Sequence, residues 1–176
     1  MMNRARRFSE VFVMDATYNT SNSKMPLICV TGVSNLGGIQ LKSFPIAFAW
    51  VNNGTQGMYE WFLDAMAVAY DENIDAVFVT DKCQALINAL DKKFPASKKL
   101  LCIWYMLNNV SDYCAGKFKT VAVKDECVNS VYKMIYSTTE AEYNSGLMAF
   151  QVAVRSINNY VDASRGLVVY EYFENE

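Results

Sequence analysis

The sequence predicts a single α/β domain in which three antiparallel strands precede an α-β-α-β segment, followed by helices. Three observations lead to this fold class. Three strand-like runs follow one another with links too short for a crossover helix. Apolar residues then recur at helical spacing on both sides of a fourth strand-like run. With 176 residues and 52% hydrophobic content, the chain can bury one substantial core.

The three N-terminal strands are predicted at residues 11–15, 26–33 and 39–51. The first is a continuous apolar run that ends in an acid, which is typical of a strand buried on both faces. In the third, Pro45 indicates an edge strand or a bulge. Because the links are short, the strands are expected to form an antiparallel meander, which excludes a doubly wound fold.

Helices and strands alternate after the third strand. The predicted order is a helix over 58–69, a strand over 76–80, a helix over 83–94 and a strand over 100–104. We assign residues 1–110 to the core and 111–176 to a helical segment of the same domain. One helix of that segment is expected to carry an apolar face of four residues, which are Val128, Val131, Tyr132 and Ile135. The apolar run at 167–173 remains unassigned.

Charge and cysteine content limit the functional classes. A net charge of −2 and a pI near 5.2 give no global cationic field, so nucleic-acid contacts would depend on local patches. The five cysteines form no C-x-x-C pair, which favours buried thiols in a reducing compartment. No stretch fits a signal peptide or a membrane span, so we expect an intracellular protein that does not contact a membrane.

Two aspartates end strands that this topology makes neighbours. Asp15 ends the first strand and Asp81 follows the fourth, so their carboxylates are expected to converge at one edge of the sheet. Two carboxylates so placed can bind hard cations such as Mg²⁺. The structural alternative is that both residues merely end strands as turn or N-cap residues.

Several short strings occur in a family's order across residues 11–110. They are Met14-Asp-Ala-Thr-Tyr-Asn-Thr20, Met25-Pro-Leu27, Val79-Thr-Asp81, Phe94-Pro95, Leu101-Cys-Ile-Trp104 and Asn109-Val110. Together they resemble the Mutator-like (MULE) transposase domain. The resemblance implies an RNase H-like fold and a DDE-type reaction, with Asp15 and Asp81 as the first two acids and as ligands of Mg²⁺ or Mn²⁺. It also implies DNA as the partner and a nuclear location, and self-association is an open possibility.

The chain departs from the family pattern in two respects. Where the family typically has Cys-x-x-His, this sequence has Cys102-Ile-Trp-Tyr105, and it contains no histidine. A phenol is a poor zinc ligand, so we expect no zinc there. The family's third acid lies further downstream. Glu140 and Glu142 are candidates, but both fit capping boxes, and Asp112 is a geometric alternative.

Aromatic and basic residues have structural interpretations too. Five aromatic residues lie on apolar stripes or in strands, where core packing is favoured over base stacking; they are Trp50, Trp61, Trp104, Tyr59 and Phe62. The densest basic spot comprises Lys92, Lys93, Lys98 and Lys99. We expect it to be solvated surface, with phosphate contact as the alternative.

Three functions are consistent with these features. One is a DDE-type transposase domain that cuts and joins DNA with two metal ions, in a truncated or degenerate copy. The second is a non-catalytic regulator of the far-red-impaired type. The third is a small RNase H-like nuclease, which would need all of its acids within this chain.

Overall fold

The computed structural model describes residues 7–19, 22–36, 38, 40–70, 76–156 and 160. The chain forms two compact units, Met1–Cys102 and Ile103–Glu176. No helix among these residues is long and apolar enough to cross a membrane. The apolar run at 167–173 lies outside the described residues.

The described residues of the N-terminal unit form a five-stranded mixed sheet and two helices. Its elements are β1 (Val11–Thr17), β2 (Leu27–Ser34), β3 (Lys42–Trp50), α1 (Gln56–Tyr70), β4 (Val77–Thr80), α2 (Gln84–Lys93) and β5 (Lys98–Leu101). The strand order is β3-β2-β1-β4-β5. Strands β1, β2 and β3 pair antiparallel, whereas β4 is parallel to both β1 and β5. The predicted RNase H-like fold class is therefore confirmed.

Two predicted strand boundaries need comment. Strand β3 lies at the sheet edge and its pairing with β2 shifts register between Val30 and Thr31, opposite Pro45, so both the edge and the bulge occur. The predicted fifth strand at 100–104 is wrong at its C-terminal end. The backbone N–H of Cys102 donates to the Thr80 carbonyl at 2.7 Å, and a helix begins at the next residue. Trp104 is therefore helical.

The core of this unit lies on one face of the sheet. Phe12 and Met14 of β1 and Ile28 and Val30 of β2 alternate with half-buried residues, which is the period of a strand with one covered face. They pack with buried side chains of α1 and α2, including Tyr59, Phe62, Leu63, Met66, Leu86, Ala89 and Leu90. Phe12 and Met14 thus face the core, so Asp15, the next residue of β1, lies on the opposite face of the sheet.

In the C-terminal unit, the part that the structure describes forms helices α3 (Ile103–Cys114), α4 (Val121–Ile135) and α5 (Glu140–Arg155). Its buried cluster contains Cys114, Phe118, Cys127, Ala153, Val154 and Tyr160. The predicted apolar face of α4 is wrong in part, because Tyr132 is 48% exposed whereas Cys127 and Ser130 are buried. At Ser130 the backbones of α4 and α5 approach closely, since a Cβ placed on Gly146 would lie 3.2 Å from the Ser130 carbonyl oxygen.

Candidate functional site

The structure corrects the predicted position of Asp15, since β1 continues to Thr17 and Asp15 lies within the strand, whereas Asp81 directly follows β4. Strand β1 pairs in parallel with β4, and the last paired residues are Val13 and Val79. The same register, continued by two residues, aligns Asp15 with Asp81. Residues two apart share a face of a strand, so the acids follow Val13 and Val79 on the face opposite the core.

Burial and charge act together on Asp81. Both carboxyl-bearing residues are half-buried. Burial, followed by the negative charge of Asp15, raises the pKa of the Asp81 carboxyl, while a hydrogen bond from the backbone N–H of Cys83 opposes the shift. The influence of Asp15 requires that the two charges be close. A cation between them would relieve this repulsion.

The surroundings of Asp15 are polar on one side and contain a thiol on the other. Thr17 Oγ1 donates a hydrogen bond to Asp15 Oδ2 at 3.4 Å. Cys29 is its partner across the β1–β2 pair, and the pKa of that thiol is raised by burial and then by the charge of Asp15. The thiol therefore stays protonated near neutral pH and adds no charge to the site.

The donor set suits a hard divalent ion. Carboxylate oxygens are the ligands that Mg²⁺ prefers, and Mg²⁺ is commonly held by one or two carboxylates while water and substrate phosphates complete its coordination. Asp15 and Asp81 fit that description. Among the residues that the structure describes, there is no cluster of three or more His, Cys, Asp or Glu side chains that could hold a metal.

The other candidate acids all lie in the C-terminal unit. Asp112 is exposed on α3 and Glu140 is exposed in the first turn of α5. Glu142 serves as a cap, because its Oε2 accepts hydrogen bonds from the backbone N–H of Thr138 at 2.8 Å and from its hydroxyl at 3.0 Å. Thr139 Oγ1 in turn accepts from the Glu142 N–H at 3.2 Å. The structural interpretation of Glu142 is confirmed.

The second predicted capping box does not form. Ser137 Oγ donates to the Met134 carbonyl at 2.8 Å, so this hydroxyl ends α4 instead of capping α5. Glu140 thus lacks the capping role predicted for it, although an acid in the first turn still favours the positive end of the helix dipole.

The predicted core aromatics divide into two groups. Tyr59 and Phe62 are buried as expected. The three tryptophans are not, since Trp50 is 47%, Trp61 54% and Trp104 63% exposed. Core packing was therefore the wrong interpretation for all three.

The basic spot is largely neutralised by ion pairs. Lys92 bonds Glu60 at 2.7 Å, Lys93 bonds Asp64 at 2.6 Å, and Lys99 bonds Asp91 at 2.9 Å. Three of its four lysines thus have acidic partners, which agrees with solvated surface and weakens the phosphate-contact alternative.

One cluster beside the acids has no counterpart in the sequence analysis. Tyr18, Tyr59 and Cys83 bring their polar atoms together, with 3.5 Å between the two phenol oxygens and 3.7 Å between Cys83 Sγ and Tyr59 Oη. Tyr18 lies within the string that contains Asp15, and Cys83 follows Asp81 by two residues. Tyr59 lies far from both in sequence, so no local pattern could link the three.

Comparisons with known proteins add the family context. The MULE transposase domain model matches residues 11–109. Among curated proteins, the chain is 32% identical over 115 residues to "PKS-NRPS hybrid synthetase cheA" of Chaetomium globosum, covering 64% of this chain and 2% of that protein. It is 23% identical over 147 residues to "Protein FAR1-RELATED SEQUENCE 6" of Arabidopsis thaliana, covering 84% and 20% respectively. The chain thus spans at most a fifth of the length of these relatives.

Among solved structures, the chain is similar to the HTLV-2 integrase catalytic core domain in complex with magnesium. The identity is 12% and the TM-score 0.30, with 84% of this chain and 86% of that chain covered. It is also similar to a chain of a simian T-cell lymphotropic virus intasome in complex with PP2A regulatory subunit B56 gamma. There the identity is 11% and the TM-score 0.32, with 86% and 50% covered.

Proposed function

Since the chain belongs to the MULE transposase domain family, we propose that it binds a divalent cation between Asp15 and Asp81 and presents that cation to a phosphate of DNA. The observation that carries this proposal is the parallel register of β1 and β4, which brings Asp15 of β1 level with Asp81, the residue that follows β4. DDE-type cleavage and strand transfer of DNA is the reaction that this cation would serve in a site completed by a third acid.

The residues of this chain have separate tasks in the proposed site. The carboxylates of Asp15 and Asp81 supply the oxygen ligands, and Mg²⁺ or Mn²⁺ bound there would polarise a phosphate oxygen and favour ionisation of water. The backbone N–H of Cys83 orients the Asp81 carboxylate. The Thr17 hydroxyl does the same for Asp15. Hydrogen bonds of this kind fix ligand orientation and limit the reorganisation needed on binding.

A third acid would complete a DDE-type site. Of the three sequence candidates, Glu142 is engaged as a helix cap. Asp112 and Glu140 stay predictions from the sequence alone. Two-metal chemistry needs a further ligand to fix a second ion and align the attacking oxygen. We therefore expect the 176-residue chain to bind metal but to cut DNA no faster than background.

The curated plant relatives favour a second candidate function. Three proteins of the FAR1 group match 64–84% of this chain. A non-catalytic nuclear regulator could retain the fold and the acid pair for interaction with DNA without turnover. In that case metal binding would persist, but strand cleavage would be absent even when a longer protein is tested.

The test combines metal binding with a DNA assay. Mn²⁺ affinity is measured by calorimetry for the wild type, Asp15→Asn, Asp81→Asn and the control Asp125→Asn, whose exposed carboxylate lies on α4. Loss of one of two carboxylate ligands should weaken Mn²⁺ binding by about tenfold or more, and the control should match the wild type. A wild type that binds no Mn²⁺ would overturn the proposal.

The DNA assay separates the two candidate functions. Cleavage or strand transfer that depends on both Asp15 and Asp81 would establish the DDE-type reaction within this chain. Mn²⁺ binding without cleavage, in this chain and in a version extended by the family's downstream region, would favour the regulator.

A further inference from the structure

A buried tyrosine hydroxyl lies between the segments that follow the two acids. Tyr59 of α1 is only 1% exposed. A buried hydroxyl requires hydrogen-bonding partners, because leaving it unsatisfied is costly. Its oxygen lies 3.5 Å from Tyr18 Oη and 3.7 Å from Cys83 Sγ. The hydroxyl therefore contacts one side chain from each of two separate loops.

Each of these two loops follows one of the acids in the chain. Tyr18 is the third residue after Asp15, just past the end of β1. Cys83 is the second residue after Asp81 and the N-cap of α2, and its backbone N–H donates to the Asp81 carboxylate. A contact that holds Cys83 thus also holds a hydrogen-bond donor of Asp81.

The position of Tyr18 is restricted on its other side as well. A Cβ placed on Gly54 would lie 2.5 Å from Tyr18 Oη, so the phenol packs directly against that glycine. Tyr18 is 51% exposed, yet its polar end lies between Gly54 and the hydroxyl of Tyr59. This close approach favours one placement of the segment that follows Asp15.

The hydroxyl of Tyr59 is suited to a neutral bridge. Burial, and then its hydrogen bonds with Tyr18 and Cys83, raise the Tyr59 pKa well above its usual range. The group keeps its proton and adds no third negative charge beside two carboxylates. A hydroxyl can also donate one hydrogen bond while accepting another, which a bridge between two loops requires.

We propose that Tyr59 is a positioning residue that sets the separation of Asp15 and Asp81 by bridging Tyr18 and Cys83. Its consequence for metal binding rests on the proposed function. The bridging itself concerns only the placement of the two loops, so it can be tested without metal. Tyr59→Phe would keep the packing of the ring in α1 and remove only the bridge.

The test compares Tyr59→Phe with Tyr160→Phe in the full chain. Tyr160 is a matched control, since it is also 1% exposed and its hydroxyl donates to the Val154 carbonyl at 2.7 Å in the C-terminal unit. Hydrogen–deuterium exchange is measured without metal on both variants. Tyr59→Phe should speed exchange of the amides around Tyr18 and around Cys83 by about two- to tenfold, the effect of one net hydrogen bond. Tyr160→Phe should leave both segments unchanged.

Metal affinity provides the second readout. Tyr59→Phe should weaken Mn²⁺ binding severalfold while Tyr160→Phe leaves it at the wild-type value, since only the former disturbs the acid spacing. The inference would be overturned if either segment exchanged in Tyr59→Phe at the wild-type rate. It would also be overturned if the wild type binds Mn²⁺ and Tyr59→Phe binds it with the same affinity. If the wild type binds no Mn²⁺, the proposed function fails, and the exchange result alone decides whether Tyr59 bridges the loops.

Discussion

Asp15 of β1 and Asp81, the residue that follows β4, fall level with each other in the parallel register of the two strands, and burial and the charge of Asp15 together raise the pKa of Asp81. An aspartate in a folded protein more often has a depressed pKa, because it gains a cationic or hydrogen-bonding partner. Here the folded state disfavours the ionised form. The two carboxylates therefore repel each other and destabilise the metal-free protein. A divalent cation could neutralise this repulsion.

This repulsion leads to a prediction for Asp81→Asn. The folded-state pKa of Asp81 exceeds the unfolded value, so stability falls as pH rises from the unfolded to the folded pKa, and the loss persists at neutral pH. At pH 7 the variant should thus be more stable than the wild type and melt at a higher temperature. The gain in the free energy of unfolding should be no more than about 1 kcal/mol, since solvent screens the half-exposed group. The gain should vanish below the ordinary aspartate pKa.

Thermal melts without metal across this pH range provide the measurement. Asp125→Asn, which removes an exposed carboxylate on α4, is the control and should show no such pH-dependent gain. An Asp81→Asn variant less stable than the wild type at pH 7 would contradict the prediction. That outcome would mean that the hydrogen bond from Cys83 outweighs burial and repulsion.

The acids at the start of α5 give a second prediction. Hydrogen bonds from the Thr138 backbone and hydroxyl hold the pKa of Glu142 below its usual range. Their stabilising effect is present above the unfolded glutamate pKa and is lost as pH falls through the folded pKa. Glu142→Gln should lower the melting temperature at neutral pH but not in acid, and it should leave Mn²⁺ affinity unchanged.

Glu140→Gln is the matched control for that experiment. It removes a carboxylate from the same helical turn, but no hydrogen bond to the capping segment is lost, so its melting temperature should stay close to that of the wild type. Removing the cap hydroxyl itself with Thr139→Ala should cost about 1 kcal/mol. Loss of Mn²⁺ binding in Glu142→Gln would instead make this residue a metal ligand.

The order of the sheet could be predicted because the short links between the first three strands leave few choices. The links around β2 are too short for a crossover, which fixes an antiparallel meander. The helix between β3 and β4 then allows β4 to pair in parallel with β1. Once that order is fixed, Asp15 and Asp81 must share an edge. The third acid could not be predicted in this way, because no sheet pairing fixes the register of the C-terminal helices.

The exposed tryptophans show where periodicity fails. In α1 the buried residues are Tyr59, Phe62, Leu63 and Met66, so the covered stripe is rotated away from Trp61. The sequence shows which residues are apolar, but the neighbours in space decide which of them are covered. Trp50 is exposed for a similar reason, since it pairs with Leu27 on the face of the sheet opposite the core.

Tryptophan accessibility gives a third prediction. Variants with one tryptophan each are made by replacing the other two with phenylalanine, and acrylamide quenching of fluorescence is measured. Each of Trp50, Trp61 and Trp104 should be quenched nearly as strongly in the native state as in denaturant. Substitutions at such exposed sites should each change stability by about 0.5 kcal/mol or less. A tryptophan shielded only in the native state would indicate that a further surface covers it.

The last prediction concerns the contact between α4 and α5, which involves a glycine in mid-helix. A Cβ on Gly146 would lie 2.9 Å from Met134 Cγ and 3.2 Å from both the Met134 nitrogen and the Ser130 carbonyl oxygen. A branched side chain there would force the two helix backbones apart, so Gly146→Val should cost about 1–3 kcal/mol in unfolding experiments. Gly57→Val is the control, because a Cβ on this α1 residue meets nothing within 4 Å. Valine forms helix better than glycine, so that variant should be neutral or slightly stabilised. Equal stability of the two variants would show that the helices can separate without loss.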